Sequence, residues 1–163
     1  AANDSRILRD PEHNGLGIDG QWADDLHHTI HALLTGEKHG YYSDYGMVEQ
    51  IAAAYREGVV FQGEYSEFRH RTYGRAYEGI KRSRLVVCSQ NHDQIGNRRD
   101  GDRLVTIAGD QKQKLAAALV LHSPNLPLLF MGEEVGAKNP FLYFVDHTDP
   151  NLLGAVRKGR KEE

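Results

Sequence analysis

The chain has 163 residues, of which 26% are charged and 39% are hydrophobic, a composition typical of a folded domain rather than of a disordered segment. Its net charge of −3 and its isoelectric point near 6.3 disfavour nucleic-acid and anionic-lipid partners, because no overall positive field attracts a polyanion. No apolar run approaches the roughly 20 residues that a membrane-spanning helix requires, so no membrane partner is expected.

The amino terminus has neither a basic head nor an apolar stretch, and we do not interpret it as a secretion signal. It also lacks an initiator methionine, which suggests a cut within a longer chain. The single cysteine, Cys88, cannot form an internal disulfide and favours a reducing compartment. We therefore expect a cytoplasmic location.

The first half of the chain predicts one strand and two helices. Glycines and apolar residues alternate over 15–22, which indicates a short strand. Apolar residues recur at three- and four-residue steps over 24–34, and Gly36 supplies a stop signal, so a helix is predicted there. A second helix is predicted over 46–56, since its apolar residues share one face and Gly58 follows.

The second half predicts a long loop, two buried strands and a helix. Residues 58–84 show no clear period, and we interpret them as a loop of a length that is usually functional. Short apolar runs predict buried strands over 84–90 and 128–131, each followed directly by polar residues. A helix is predicted between these strands, over 111–122.

This order of elements predicts an α/β fold with parallel strands and functional groups at the carboxyl ends of the strands. A closed (β/α)8 barrel usually needs roughly 250 residues, so the chain is predicted to form part of such a barrel. The charged tail 157–163 is expected to fray.

Residues 91–98, with the sequence NHDQIGNR, are the densest group of polar side chains after a predicted strand. They combine an imidazole, a carboxylate, three amides and a guanidinium. A sugar requires such density, because each of its hydroxyl groups both donates and accepts when it is desolvated. A polar turn that only caps the strand is the alternative interpretation.

Three other features also have a plain structural interpretation. His27 and His31 form an i, i+4 pair that could hold zinc, but no glutamate follows His27 and no further ligand is placed by the sequence. We therefore favour surface or hydrogen-bonded histidines and expect no metal site. Asp24 and Asp25 could contribute only helix-start electrostatics. Trp22 could belong to the core or offer a stacking surface to a sugar.

Four stretches cover most of the chain and carry a resemblance: IDGQWADDLHHTIHALLTGEKHGYYSDYG (18–46), RAYEGIKRSRLVVCSQNHDQIGNRRDGDRL (75–104), LPLLFMGEEVGAKNPFLYFVDHTDP (126–150) and the terminal AVRKGRKEE. They resemble the maltooligosyltrehalose trehalohydrolases, a family within the α-amylase superfamily of retaining glycoside hydrolases. The NHDQ motif alone occurs across the superfamily. Its extension through IGNR, together with QWADDLHH and PFLYFVDHTDP, is similar to this one family.

The resemblance implies a (β/α)8 barrel whose sixth, seventh and eighth strands are 18–22, 85–90 and 128–131. Residues 1–163 would then form the C-terminal portion of the catalytic barrel. The implied reaction is hydrolysis of the α-1,4-glucosidic bond that joins trehalose to a maltooligosyl chain, a step in trehalose biosynthesis, with an α-glucan substrate and no cofactor.

The resemblance also implies roles for individual residues. Asp93 matches the third catalytic carboxylate of the superfamily, which supports the transition state, and His92 matches its sugar-contacting neighbour. The full set of expected substrate-binding residues is Trp22, Asp24, Asp25, His92, Gln94, Asn97, Arg98 and Glu133.

The sequence lacks two carboxylates that an active member of the family needs. The nucleophile lies well upstream in the family, and the general-acid glutamate lies a few residues before a segment resembling 3–6, where this chain begins with Ala1 and Ala2. Glu133 and Glu134 cannot replace the pair, because adjacent residues at a strand tip point to different sides. The fragment alone is therefore expected to be inactive and to associate with the rest of the barrel or with a second copy of itself. The alternative is a non-catalytic carbohydrate-binding or self-associating module.

Overall fold

The computed structural model of the chain describes residues 3–143 and 145–162 and combines α-helices with a small parallel sheet. In chain order the helices and strands are β1 (Gln21–Trp22), α1 (Asp24–Thr35), α2 (Val48–Glu57), β2 (Gln62–Ser66), β3 (Arg71–Gly74), β4 (Leu85–Val87), α3 (His92–Gly96), α4 (Leu104–Ala108), α5 (Asp110–Leu121), β5 (Leu126–Pro127) and α6 (Pro150–Glu162). Among these residues no helix has both the length and the apolar character needed to cross a bilayer.

The parallel sheet has the strand order β1-β4-β5, with β4 in the centre. Gln21 pairs with Leu85 across β1 and β4, and Val86 pairs with Leu126 across β4 and β5. Each pair of neighbouring strands is joined by a helical crossover, which parallel strands require. The predicted α/β class with parallel strands is confirmed.

The main hydrophobic core lies between β4 and the helices that flank it. Leu26 and Ile30 of α1 belong to one buried cluster with Leu85 and Val87 of β4 and Val120 of α5. All five side chains are almost completely removed from water. Burial of this apolar surface is the main force that holds the helices against the sheet.

Three predicted helices agree with the structure. Helix α1 contains the whole predicted span 24–34 and ends at Gly36, whose φ of 78° lies in the left-handed region that glycine adopts without strain. Helix α2 begins two residues after the predicted span 46–56 begins and ends one residue after it ends. Helix α5 is displaced by one residue from the predicted span 111–122.

The segment 58–84 is not a single loop, so that prediction was wrong. It contains an antiparallel hairpin formed by β2 and β3. Most residues of the two strands are exposed or half-buried, so the hairpin lacks the alternation of buried and exposed side chains that marks a strand in sequence. The Arg69 guanidinium lies 3.9 Å from the centre of the Tyr73 ring at this hairpin.

The strands of the parallel sheet are shorter than predicted. Strand β1 includes only the end of the predicted span 15–22, and β4 only the middle of 84–90. The third strand pairs through β5, which precedes the predicted span 128–131, although the amide of Leu128 still donates to the carbonyl of Val87 at 2.8 Å. A strand is recognised by its backbone hydrogen bonds to a neighbouring strand. Within the described residues β1 and β5 are edge strands that pair with β4 on one side only, which limits the length over which they pair.

The C-terminal tail is helical rather than frayed, which corrects another prediction. Residues 157–162 belong to α6, and residue 163 lies outside the described part. The Asp149 carboxylate accepts hydrogen bonds from the amides of Asn151 and Leu152 at 2.7 and 3.2 Å, and Pro150 occupies the first helical position. An acidic cap followed by proline is a helix-start signal that the sequence analysis overlooked.

Candidate functional site

The NHDQ motif follows β4 and forms the start of the short helix α3. Asn91 is buried; its Oδ1 accepts from the Asp93 amide at 2.8 Å, and its own amide donates to Gln94 Oε1 at 3.0 Å. These reciprocal bonds form a capping box. The side chains of His92 and Asp93 remain 47% and 61% exposed. The motif therefore both caps the helix and presents polar groups to solvent.

The Asp93 cluster consists of Trp22, His92, Asp93, Asn97 and Tyr143. The Trp22 and His92 rings meet edge-on at 5.9 Å, and the His92 and Tyr143 rings at 6.2 Å. Tyr143 donates its hydroxyl to Asp93 Oδ1 at 3.2 Å, and His92 Nε2 lies 3.4 Å from the same oxygen. The cluster thus joins an exposed carboxylate to aromatic faces, which suits a ligand with both hydroxyl groups and apolar faces.

Sequence reasoning gave Tyr143 no role. It follows β5 by many residues and lies 50 positions from Asp93. Its only sequence signal was its place in the aromatic stretch PFLYFVDHTDP. Local patterns do not report a contact between such distant residues.

Arg98 is engaged by an acidic residue of the chain itself. Its Nη1 and Nη2 donate to Glu37 Oε2 and Oε1 at 3.0 and 2.9 Å. Glu37 Oε2 also lies 2.7 Å from His31 Nε2. The hydrogen bonds from Arg98, followed by that from His31, lower the pKa of Glu37 to about 2. Arg98 is therefore committed to an ion pair rather than presented to a ligand.

Asp25 is part of the core, which corrects the expectation that it contacts substrate. It is 1% exposed, whereas its neighbour Asp24 is only half-buried. Its carboxylate accepts four hydrogen bonds, from Tyr45 Oη at 2.7 Å, Asn3 Nδ2 at 2.7 Å and the amides of Val60 and Phe61 at 2.6 and 3.1 Å. Burial raises the pKa of Asp25, and these hydrogen bonds counteract the shift.

Glu133 is also largely buried and is engaged by donors of the chain itself. Its carboxylate accepts from Gln113 Nε2 at 2.9 Å, from the Phe130 amide at 3.0 Å and from the Ser89 hydroxyl. These bonds link the segment after β5 to α5 and to the end of β4. The neighbouring Glu134 is exposed, as expected for adjacent residues that point to different sides.

The histidine pair does not have the geometry of a zinc site. His27 is fully buried; its Nδ1 lies 2.7 Å from the Ser89 carbonyl oxygen and its Nε2 lies 3.0 Å from Tyr42 Oη. Both ring nitrogens are thus occupied, and desolvation lowers the pKa of His27 to about 4. His31 is hydrogen-bonded to Glu37. Of the two favoured interpretations, surface and hydrogen-bonded histidines, the second agrees with this arrangement.

Comparison with known proteins confirms the family resemblance over the whole chain. The chain is 47% identical over 161 residues to malto-oligosyltrehalose trehalohydrolase of Saccharolobus solfataricus, covering 99% of this chain and 29% of that protein. It is 45% identical over 163 residues to the enzyme of that name from Rhizobium sp. strain M-11, and 44% identical over 163 residues to that from Mycobacterium tuberculosis, covering 99% of this chain and 27% and 28% of those proteins. The chain therefore spans less than a third of the length of these relatives.

A solved structure shows the same fold. The crystal structure of an alpha-amylase-like protein from Salmonella typhimurium superposes with a TM-score of 0.82 and 41% sequence identity, covering 98% of this chain and 28% of that one. No protein-family model matches the chain.

Proposed function

Because the chain is homologous along its length to part of the malto-oligosyltrehalose trehalohydrolases, we propose that it supplies one side of the active site of such a glycoside hydrolase. The reaction is hydrolysis of the α-1,4 bond that joins trehalose to a maltooligosyl chain. The observation that carries the proposal is the exposed Asp93 carboxylate at the carboxyl end of the central parallel strand, where α/β barrels assemble their active sites.

Asp93 has the position of a carboxylate that supports the transition state. A retaining hydrolase needs two further carboxyl groups roughly 5 Å apart, one as nucleophile and one as general acid, around an oxocarbenium-like transition state. The remaining polypeptide of the relatives would supply the pair.

The rest of the Asp93 cluster supports binding of a sugar. Trp22 lies against the His92 ring, and Asn97 donates to the Tyr143 hydroxyl. These rings and this amide match the apolar faces and hydroxyl groups of a glucose unit. Asp24 is the first residue of α1 and Gln94 lies in α3, and both belong to the proposed binding surface. Asp25, Arg98 and Glu133 support this surface from within the protein.

We assign the three parallel strands to barrel strands six to eight, with 1–163 as the C-terminal portion of the catalytic barrel. The strand order and the crossovers support this assignment. Several large apolar side chains near the β5 edge are exposed, namely Leu121, Leu126, Leu129, Met131 and Val135. An apolar patch beside an open strand edge favours coverage by further protein. In the full-length protein the rest of the barrel would cover it, and in the isolated chain a second copy would.

The test uses the full-length protein that contains this chain. It should release trehalose from maltooligosyltrehalose, measured by chromatography, and should release none from a maltooligosaccharide of equal length without the trehalose end. A folded full-length protein that leaves maltooligosyltrehalose intact would overturn the proposed function.

A further inference from the structure

We propose that Tyr143 is a positioning residue that fixes the Asp93 carboxylate for its role at the transition state, an inference that rests on the proposed function. The Tyr143 hydroxyl lies 3.2 Å from Asp93 Oδ1 and 3.2 Å from Asn97 Nδ2. An amide nitrogen can only donate, so the phenol oxygen accepts from Asn97 and directs its single proton to the carboxylate. Asn97 thereby sets the direction of the bond from Tyr143.

Gly96 provides the surface on which the Tyr143 ring lies. A Cβ atom at Gly96 would come within 2.8 Å of ring atoms Cε2 and Cζ, closer than side chains approach one another. Gly96 is the last residue of α3, three positions after Asp93, so both lie on one side of the helix. The absence of a side chain at this position lets the phenol reach the carboxylate.

The segment that carries Tyr143 is anchored by a buried arginine. Arg103 donates from Nη1 to the Met131 carbonyl and from Nε to the Asn139 carbonyl, both at 2.7 Å. The amide of Phe141 donates to the Gly101 carbonyl at 3.1 Å. Tyr143 therefore reaches Asp93 from a segment held at three points, and not from a free loop.

The two oxygens of Asp93 are in different environments. Tyr143 and His92 both lie against Oδ1. Among the described residues, no hydrogen bond is recorded at Oδ2, which leaves that oxygen for a sugar hydroxyl. Because an exposed aspartate otherwise rotates about its side-chain bonds, the bond from Tyr143 restricts it to one orientation.

The first test is Tyr143→Phe in the full-length protein, which removes the hydroxyl and keeps the ring. We expect kcat for trehalose release to fall about tenfold while KM stays within about twofold, since the lost bond orients a group that acts at the transition state. The control is Tyr65→Phe, which changes an exposed tyrosine on β2 and should leave both constants unchanged. Wild-type kcat in Tyr143→Phe, or a change confined to KM, would overturn the proposal.

Gly96→Ala tests the same contact from the other side. The added methyl group should displace the ring and lower kcat as Tyr143→Phe does. In a Tyr143→Ala background, Gly96→Ala should have little further effect, because the ring that it displaces is already absent. Independent, additive losses from the two substitutions would contradict a shared mechanism.

A titration separates this inference from the proposed function. Burial, and then the Asp93 charge, raise the pKa of Tyr143. In full-length protein with ¹³C-labelled tyrosine rings, the Tyr143 resonance, identified by its loss in Tyr143→Phe, should titrate at lower pH in Asp93→Asn than in wild type. An unchanged pKa would overturn the contact. If wild type releases no trehalose but this shift is observed, the proposed function fails and the contact stands.

Discussion

Glu37 and Arg98 join the helix after β1 to the helix after β4. Two hydrogen bonds of 3.0 and 2.9 Å connect the carboxylate to the guanidinium. Glu37 follows the end of α1, and Arg98 lies two residues after α3 ends. The pair therefore holds the segment that carries Asp93 from the α1 side, whereas Tyr143 contacts it from the β5 side.

Glu37→Gln should lower stability in a pH-dependent way. The pKa of Glu37 is about 2 in the folded protein, below its ordinary value of 4.5, so the ion pair stabilises the fold above about pH 4.5 and this contribution is lost as the pH falls toward 2. The cost at pH 7 should be about 1 kcal/mol, because the pair is partly exposed.

The measurement is the difference in Tm between wild type and Glu37→Gln from pH 7 down to pH 3. The difference should shrink below about pH 4.5. Glu67→Gln, at an exposed position between β2 and β3, is the matched control and should show no difference. A Tm difference that is constant over the whole range would contradict the role of the ion pair.

Asp93→Asn in the full-length protein should lower turnover at least about a hundredfold, the usual effect of removing one electrostatic stabiliser of a transition state. Its Tm should stay close to that of wild type, because the side chain is 61% exposed. Rates of trehalose release and thermal melts check both statements. Asp100→Asn, at an exposed site nearby, should retain near-normal turnover. Equal rates for the two variants would refute the assignment of Asp93.

Asp25→Asn should destabilise the protein strongly without any direct effect on substrate contacts. In the variant, the side-chain amide nitrogen of the asparagine would replace one carboxylate oxygen and could not accept the hydrogen bonds that this oxygen now accepts. Each buried donor left without an acceptor costs about 1–3 kcal/mol. We expect the free energy of unfolding, measured by urea denaturation, to fall by about 2 kcal/mol or more. Asp19→Asn, at an exposed position, provides the control. Wild-type stability of Asp25→Asn would show that the four hydrogen bonds contribute little.

The isolated chain 1–163 should associate and should show no glycosidase activity. The open edges of β1 and β5 and the apolar side chains near β5 favour association. One supporting carboxylate can neither attack the anomeric carbon nor protonate the leaving oxygen. Sedimentation at low micromolar concentration and an assay for trehalose release test the two statements. A folded monomer that releases trehalose would contradict both.

The sequence by itself determined the features that depend on local composition and period. Helix α1 could be predicted because the apolar residues that it buries, Leu26, Ile30 and Leu34, recur at helical steps. Helix α5 could be predicted from its helix-forming composition, although the residues that it buries include Gln113. The strand β4 was visible as an apolar run that ends in polar residues. The motifs around Asp93 indicated the family, and members of that family are 40–47% identical to this chain.

Only the tertiary structure decided what each polar side chain contacts. Asp24 and Asp25 are adjacent and chemically identical, yet only Asp25 is fully buried. Its hydrogen-bond donors lie 20 to 36 positions away along the chain, so folding has to bring them to the carboxylate. Arg98 is taken by Glu37, 61 positions before it, and Tyr143 reaches Asp93 across 50 positions. Periodicity reports whether a residue faces the core, but the partner of a buried charge depends on how distant segments pack, which no local pattern encodes.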